Sequence, residues 1–218
     1  MYLPRHFEAP GPQAIERLLH EHPLGLLITT AAGPDGPRLT ANPLPWRWEP
    51  GPAAADAATM RRGRLVGHVA RANPVWRETL PDAEVLVVFQ GPQAYVSPSF
   101  YPSKAAHGKV VPTWNYVVAQ ARGRFVVHDD REWLHALVSE LTRRHEAARA
   151  HPWAVSDAPD DYIESMLRAI VGVEVEVREW VGKWKVSQNR SEDDREGVAR
   201  GLGQAGGPAA GLLDWMNG

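Results

Sequence analysis

Four short segments of this sequence concentrate hydrogen-bond donors, aromatic rings and prolines: HVARANPVW (68–76), SPSFYPSKAAHGKVVPTWNY (97–116), KWKVSQNR (183–190) and, more weakly, LTANPLPW (39–46). In the first, His68 and Arg71 stand three apart at the end of a strand-like run, and Asn-Pro turns the chain. Both side chains can then project beside free backbone N–H groups, which is anion-binding chemistry. A half-buried histidine and a surface arginine explain the same pair without a ligand. In SPSFYPSK, the hydroxyls of Ser97, Ser99 and Ser103 sit with Lys104 around two prolines and two rings. A phosphate monoester asks for such a set, since each charge-assisted hydrogen bond is worth about 1.5–3 kcal/mol; a rigid proline-rich turn with solvated serines is the alternative. VPTWNY places Thr113, Asn115 and Tyr116 beside Trp114, which suits a flat heteroaromatic ligand as well as a strand end. KWKVSQNR gathers Lys183, Lys185, Ser187, Gln188, Asn189 and Arg190, a mixture that also fits a solvated strand edge whose lysines discourage pairing.

Other chemistries lack their residues. There is no cysteine, so disulfides, thiolate catalysis and Cys-type metal sites are excluded. No G-x-G-x-x-G, P-loop, G-x-S-x-G or H-E-x-x-H occurs. His20 and His22, His145 and His151, and His128 before two aspartates lack metal-ligand spacing on one helix face. With 24 Lys plus Arg against 26 Asp plus Glu, the net charge of -2 gives no general attraction for polyanions. The N-terminus MYLPRHFEAP has no apolar core of a signal peptide, and no run of about 18 apolar residues exists, so neither membrane insertion nor export is expected and the default location is cytoplasmic.

The elements that must position these segments are mostly strands. Residues 12–22 form a short cover helix behind a proline and before Pro23. LGLLITT (24–30) and PRLTANPLPWRW (37–48) flank the turn residues GPDGP and read as a hairpin. Residues 49–63, rich in Ala, Gly and Pro, read as a flexible excursion between strands. RLVGHVA (64–70), EVLVVFQ (84–90), QAYVS (93–97) and WNYVVAQARGRFVVH (114–128) continue the sheet, and such punctuation suggests a barrel or sandwich. Asp129 followed by Glu132 resembles a capping box for a helix over about 130–149 with Trp133, Leu134, Leu137, Val138 and Leu141 in one stripe. A second helix, about 160–170, turns Ile163, Met166, Leu167 and Ile170 inward. In VGVEVEVREW, valines alternate with Gly172, Glu174, Glu176 and Arg178, the pattern of a strand with one buried face. The residues from about 190 read as a charged, then glycine-rich tail, and no second core is visible.

Taken in order, MYLPRHF, LVGHVARANPVW, VLVVFQGPQAYVSPSFYPSK, HGKVVPTWNY and KWKVSQNRSEDDREGV resemble the PaiB family of FMN-binding negative transcriptional regulators, across residues 1 to about 200. The resemblance implies a mainly β protein with flanking helices: a split β-barrel of the pyridoxamine-phosphate-oxidase-like type, usually a homodimer holding FMN in clefts between the subunits. It implies an FMN-binding domain over 1–200 and a C-terminal tail over 201–218. It makes His68, Arg71, Ser103 and Lys104 the candidates for the phosphate end, and Asn115, Tyr116, Gln188 and Asn189 those for the ring or ribityl chain. Two departures are Trp184 and Val186, where smaller or leucine-type residues are expected, and a long 49–63 connection. DNA binding follows by family analogy alone, because the chain has no helix-turn-helix with a basic recognition helix. Its best basic cluster is Arg61, Arg62 and Arg64, backed by Arg143, Arg144 and Arg149. The alternatives are a flavin-dependent oxidoreductase on a small molecule and a haem-binding split barrel with His68, His107 or His128 as axial ligand.

Overall fold

A computed structural model describes residues 1–52 and 62–216. After α1 (Pro12–Glu21), the chain forms β1 (Leu24–Ala31), β2 (Arg38–Pro45), β3 (Arg47–Pro50), β4 (Gly63–Ala70), α2 (Val75–Glu78), β5 (Glu84–Val96), α3 (Ser103–His107) and β6 (Thr113–His128). It ends with α4 (Arg131–Glu146), α5 (Asp160–Arg168), β7 (Ile170–Lys185), α6 (Glu192–Ala205), α7 (Gly207–Ala210) and α8 (Leu213–Met216). The seven strands pair antiparallel in the order β2-β1-β5-β6-β7-β4-β3. Among the described residues, no helix is long and apolar enough to cross a membrane.

The barrel follows from that order. The strands β2 and β3 are at opposite ends of the sheet, yet only Trp46 separates them in sequence. The sheet must therefore curl until its edges meet. Trp46 is 2 % exposed and donates its indole N–H to the Gly25 carbonyl at 3.2 Å. A Cβ at Gly25 would stand 2.8 Å from this ring, and one at Gly67 of β4 would stand 3.3 Å from it. Two glycines on strands from either side of the seam thus make the slot that the indole fills. Asn73 spans the seam again, its side-chain amide donating to Asn42 of β2 at 2.9 Å. The result is a split β-barrel of the pyridoxamine-phosphate-oxidase-like type with flanking helices.

Inside the barrel, Leu27, Val85, Val87, Phe89, Val117, Ala119, Val173 and Val175 are buried. Helix α1 contributes Leu18 to the same core, while α4 covers the outer side of β4 and β7 with Leu137 and Leu141 against Val66. This cover buries β7 on both faces from Val171 to Val175, where one buried face was expected. Gly172 lies beneath Trp133, whose ring a Cβ would meet at 2.2 Å.

Several expected boundaries shift for identifiable reasons. The run 37–48 breaks at Trp46, and Glu84–Val96 is a single strand with an irregularity between Gln90 and Gln93. The ends of the expected excursion, Glu49–Pro50 and Gly63, are paired strand; 53–61 lies outside the described residues. Asp130, not Asp129, caps α4, accepting from the Trp133 N–H at 2.7 Å. In α5 only Leu167 is buried, and Met166 is exposed. The boundary at residue 200 falls inside α6, and Leu202, Leu212, Trp215 and Met216 belong to the main core. The glycines of this segment serve close packing: a Cβ at Gly197 would meet the Phe100 carbonyl at 2.1 Å, and one at Gly201 the Phe100 ring at 2.4 Å.

Removing the indole from the seam should be costly. Trp46→Ala is expected to destabilise the protein by about 3–5 kcal/mol, read as a lower urea midpoint. A loss under about 1 kcal/mol would mean that the seam closes without it.

Candidate functional site

The segments singled out by their chemistry occupy two ends of the barrel. His68 and Arg71 lie where β4 pairs with the start of β7, His68 opposite Gly172 and Ala70 opposite Ile170. Tyr116 pairs with Lys185 at the other end of β7. Gly172 and Lys185 are thirteen residues apart on that strand, a span of up to about 40 Å at 3.3 Å per residue. One chain does not bring the eight candidates together.

At the first end, Arg71 is committed to the fold. It makes four hydrogen bonds: two to the Asp129 carboxylate at 2.9 and 2.6 Å, one to the Arg168 carbonyl at 2.7 Å and one to the Ile170 carbonyl at 3.0 Å. The hydrogen bond from Arg71 holds the Asp129 carboxyl below its ordinary pKa. This clamp ties the ends of β4, β6 and α5 and explains why Asp129 does not cap the helix. His68 is half-buried on the α4 side of the sheet, and its Nδ1 is buried with no partner. Burial lowers its pKa. His128, the other cross-strand neighbour of Gly172, stacks on Trp133 at 4.1 Å and shares a 3.0 Å hydrogen bond with buried Glu174. Of the haem-ligand candidates, His128 is thus engaged, and exposed His107 accepts at Nδ1 from the Lys109 N–H at 3.0 Å.

At the second end, three segments distant in sequence converge. Ser103 donates its hydroxyl and its backbone N–H to buried Asp194 of α6, at 2.8 and 3.1 Å. That carboxylate repels a phosphate at Ser103. Lys104 is exposed and shares with Arg200, Ser99 and Gln204 the wall of a cavity of about 630 Å³. Asn115 points inward, 1 % exposed, and donates to the Ser187 hydroxyl at 2.8 Å, while its Oδ1 is buried without a partner. That bond braces Ser187, which adopts φ 70°, a strained left-handed conformation for a non-glycine residue. Gln188 uses both ends of its amide on the same turn, accepting from the Val186 N–H at 2.8 Å and donating to the Trp184 carbonyl. Asn189 is exposed.

Tyr116 is half-buried on the outer face of β6, beside two lysines that the sequence reading treated as a solvated edge. Lys183 is 8 % exposed, with its ammonium 5.6 Å from both the Tyr2 and the Tyr116 rings. The strand edge there is covered by the N-terminal segment, whose Ala9 N–H donates to the Gly182 carbonyl at 3.0 Å. Lys185 donates to the Thr113 hydroxyl and, at 2.8 Å, to the Trp114 carbonyl. The signal was present in KWK: in a strand, residues two apart share a face.

Between the two ends, the outer face of β6 and β7 carries the ion pairs Arg122–Glu179 and Arg124–Glu176, whereas on β1 and β2 the outer face is apolar. Leu39 of β2 is 76 % exposed, Leu24 of β1 63 % and Leu26 37 %; beyond them Tyr95 and Trp114 are exposed as a cross-strand pair. Residues 1–179 match the family described as "Putative FMN-binding domain". The chain is 31% identical over 213 residues to a Bacillus subtilis protein named protease synthase and sporulation protein PAI 2, covering 96% of this chain and 93% of that one. It is 36% identical over 227 residues to an uncharacterised Aspergillus fumigatus protein, covering 88% and 87%. It belongs to the PaiB family. Among solved structures, it is similar to the FAD and heme binding protein from Mycobacterium smegmatis (TM-score 0.55, 18% identity, 92% of this chain and 80% of that one). It is also similar to the flavocytochrome Anf3 from Azotobacter vinelandii (TM-score 0.54, 12% identity, 89% and 78%).

The buried His68 gives a pH signature with a defined sign. Its folded pKa lies below the unfolded value of about 6.5, so the unfolded chain binds the proton first and stability falls as pH drops below about 6.5. His68→Gln should lose less stability between pH 7 and pH 5 than the native protein, measured by urea unfolding at each pH. An equal loss in both would show that His68 titrates alike in the folded and unfolded chain.

Proposed function

We propose that this protein is a homodimer that binds FMN in clefts shared between two copies. The observation carrying this reading is that the two donor-rich ends lie apart on one chain while β1 and β2 expose an apolar outer face, Leu24, Leu26 and Leu39. A two-fold partner laid on that face buries it, and sets one end of each chain against the opposite end of the other. The residue types fit the cofactor: Lys185 donates to the carbonyl of the exposed Trp114, whose ring meets the exposed Tyr95, as a phosphate-bearing heteroaromatic requires. FMN, when bound, supplies hydride or single-electron transfer, and the chain supplies binding, orientation and exclusion of water. The role of Arg71 in this reading is to fix the rim of the cleft, since its donors are already in use.

Negative transcriptional regulation is the role that the family resemblance brings with it. Of the six arginines that would have made a basic patch, three are neutralised: Arg64 pairs with Glu49, Arg143 with Glu140 and Arg149 with Glu146, and Arg61 lies outside the described residues. Flavin-dependent oxidation or reduction of a small molecule is the second reading, supported by the same cleft. A gel shift on the protein's own upstream region, run beside anaerobic flavin reduction by NADPH, separates them. Direct repression requires a shift whose affinity falls by roughly 10³ between about 50 and 200 mM salt for six phosphate contacts. Rapid flavin reduction without a shift favours the enzyme.

Light scattering with FMN bound should give twice the 24.1 kDa chain mass. Leu26→Glu, which puts a charge into the apolar face, should yield a folded monomer that has lost FMN. A monomer that keeps its FMN overturns the shared cleft.

A further inference from the structure

We propose that Lys183 and Lys185 form the anion subsite of the cleft and take the phosphate monoester of the flavin nucleotide. This rests on the FMN reading above and adds which residues hold the phosphate.

Of the 23 Lys and Arg side chains among the described residues, eleven pair with a carboxylate and eight of the unpaired ones are exposed to solvent. Arg17 pairs with Glu21, Arg38 with Glu78, Arg71 with Asp129, Arg124 with Glu176 and Arg131 with Glu164. Among the described residues, Lys183, Lys185 and Arg190 have no carboxylate oxygen within 4.0 Å. They are not solvated strays. Among the described residues, the Lys183 ammonium donates only to the Tyr2 carbonyl, at 3.0 Å, and faces two aromatic rings, and Lys185 donates only to a hydroxyl and a carbonyl. The Arg190 guanidinium lies 4.7 Å over the ring of Tyr101, whose hydroxyl is buried without a hydrogen-bond partner.

A desolvated cation with no counter-charge is costly, and two of them at alternate positions of one strand face repel each other. Burial lowers the Lys185 pKa, and the charges of Lys183 and Arg190 add to that against the opposing Tyr116 hydroxyl. An arrangement that loses stability in the free chain is explained when a ligand restores it. A phosphate monoester brings close to two negative charges and several acceptor oxygens, matching two cations better than a single carboxylate does. The exposed Trp114 ring, whose own carbonyl binds Lys185, adjoins the pair and offers a surface for the rest of the nucleotide. Lys104 is exposed on a separate cavity wall, and Ser103 faces a carboxylate.

The test compares FMN with riboflavin, which lacks the phosphate, by fluorescence titration of flavin-free full-length protein. Lys183→Met and Lys185→Met together keep the side-chain length and remove both charges. The double variant should bind FMN about 100-fold or more weakly, the loss of two charge-assisted hydrogen bonds, with riboflavin affinity nearly unchanged. Its melting temperature without flavin should equal or exceed that of the native protein, because two uncompensated charges are gone. Equal loss of both flavins, or no loss for FMN, overturns the assignment of the lysines. Native protein that binds neither flavin overturns the FMN reading itself, so the two failures are distinguishable.

Discussion

A sheet whose two edge strands are consecutive in sequence has nowhere to go but around. That constraint, realised at Trp46 between β2 and β3, governs the rest of the molecule. The indole is the only residue between the strands, and it is held by a hydrogen bond to β1 on one side and by the glycine surface of β4 on the other. Closure also settles which side chains can be polar. Residues facing inward along β5, β6 and β7 are Val, Ala, Phe and Trp, and the inward polar group Asn115 appears only near the barrel mouth, hydrogen bonded to Ser187.

Closure distributes the outer faces as well. Helix α4 covers β4 and the first half of β7, where the burial of Glu174 is offset by His128 and by Arg64 at 3.5 Å. Beyond the Arg122–Glu179 pair, no carboxylate among the described residues lies within 4.0 Å of the lysines at the far end of β7. The Arg71–Asp129 clamp and the Ser103–Asp194 pair do similar work at opposite ends: each uses a charged group to fasten a loop to a distant element. These pairs are intramolecular fasteners, although their residue types are those of ligand sites. Residue type alone does not distinguish the two uses; the identity of the partner does.

This explains what was legible in the sequence. Strand positions and the two long outer helices were readable because alternation and the 3.6-residue period are local. The split barrel came with the family resemblance, while the closing residue did not, since Trp46 looked like one more strand position. Helix α6 was misread because Gly197, Gly201 and their neighbours argue against a helix by propensity. Tertiary contact decides otherwise: those glycines admit the Phe100 segment at a distance no larger side chain allows. The capping residue slipped by one because Asp129 and Asp130 are equivalent locally, and only the distant Arg71 selects between them. Of the eight site candidates, Arg71, Ser103, Asn115 and Gln188 bond within the chain, which no spacing rule reveals.

The unmatched features form a set with one thermodynamic consequence. Exposed leucines on β1 and β2, lysines without carboxylates at the end of β7, and unpartnered buried atoms on Tyr101 and Asn115 all cost free energy in the isolated chain. Each cost is removed by a different event: association hides the leucines, and an anion matches the lysines. A ligand that binds only the folded form adds RT ln(1 + [L]/Kd) to stability, about 2.7 kcal/mol at a hundredfold excess over Kd. If the cleft needs both chains, the same ligand also adds to dimer stability, because its affinity for the separated chains is lower. Folding, association and cofactor binding then become linked equilibria, with the closed seam at Trp46 holding each half of the site in place before the other half arrives.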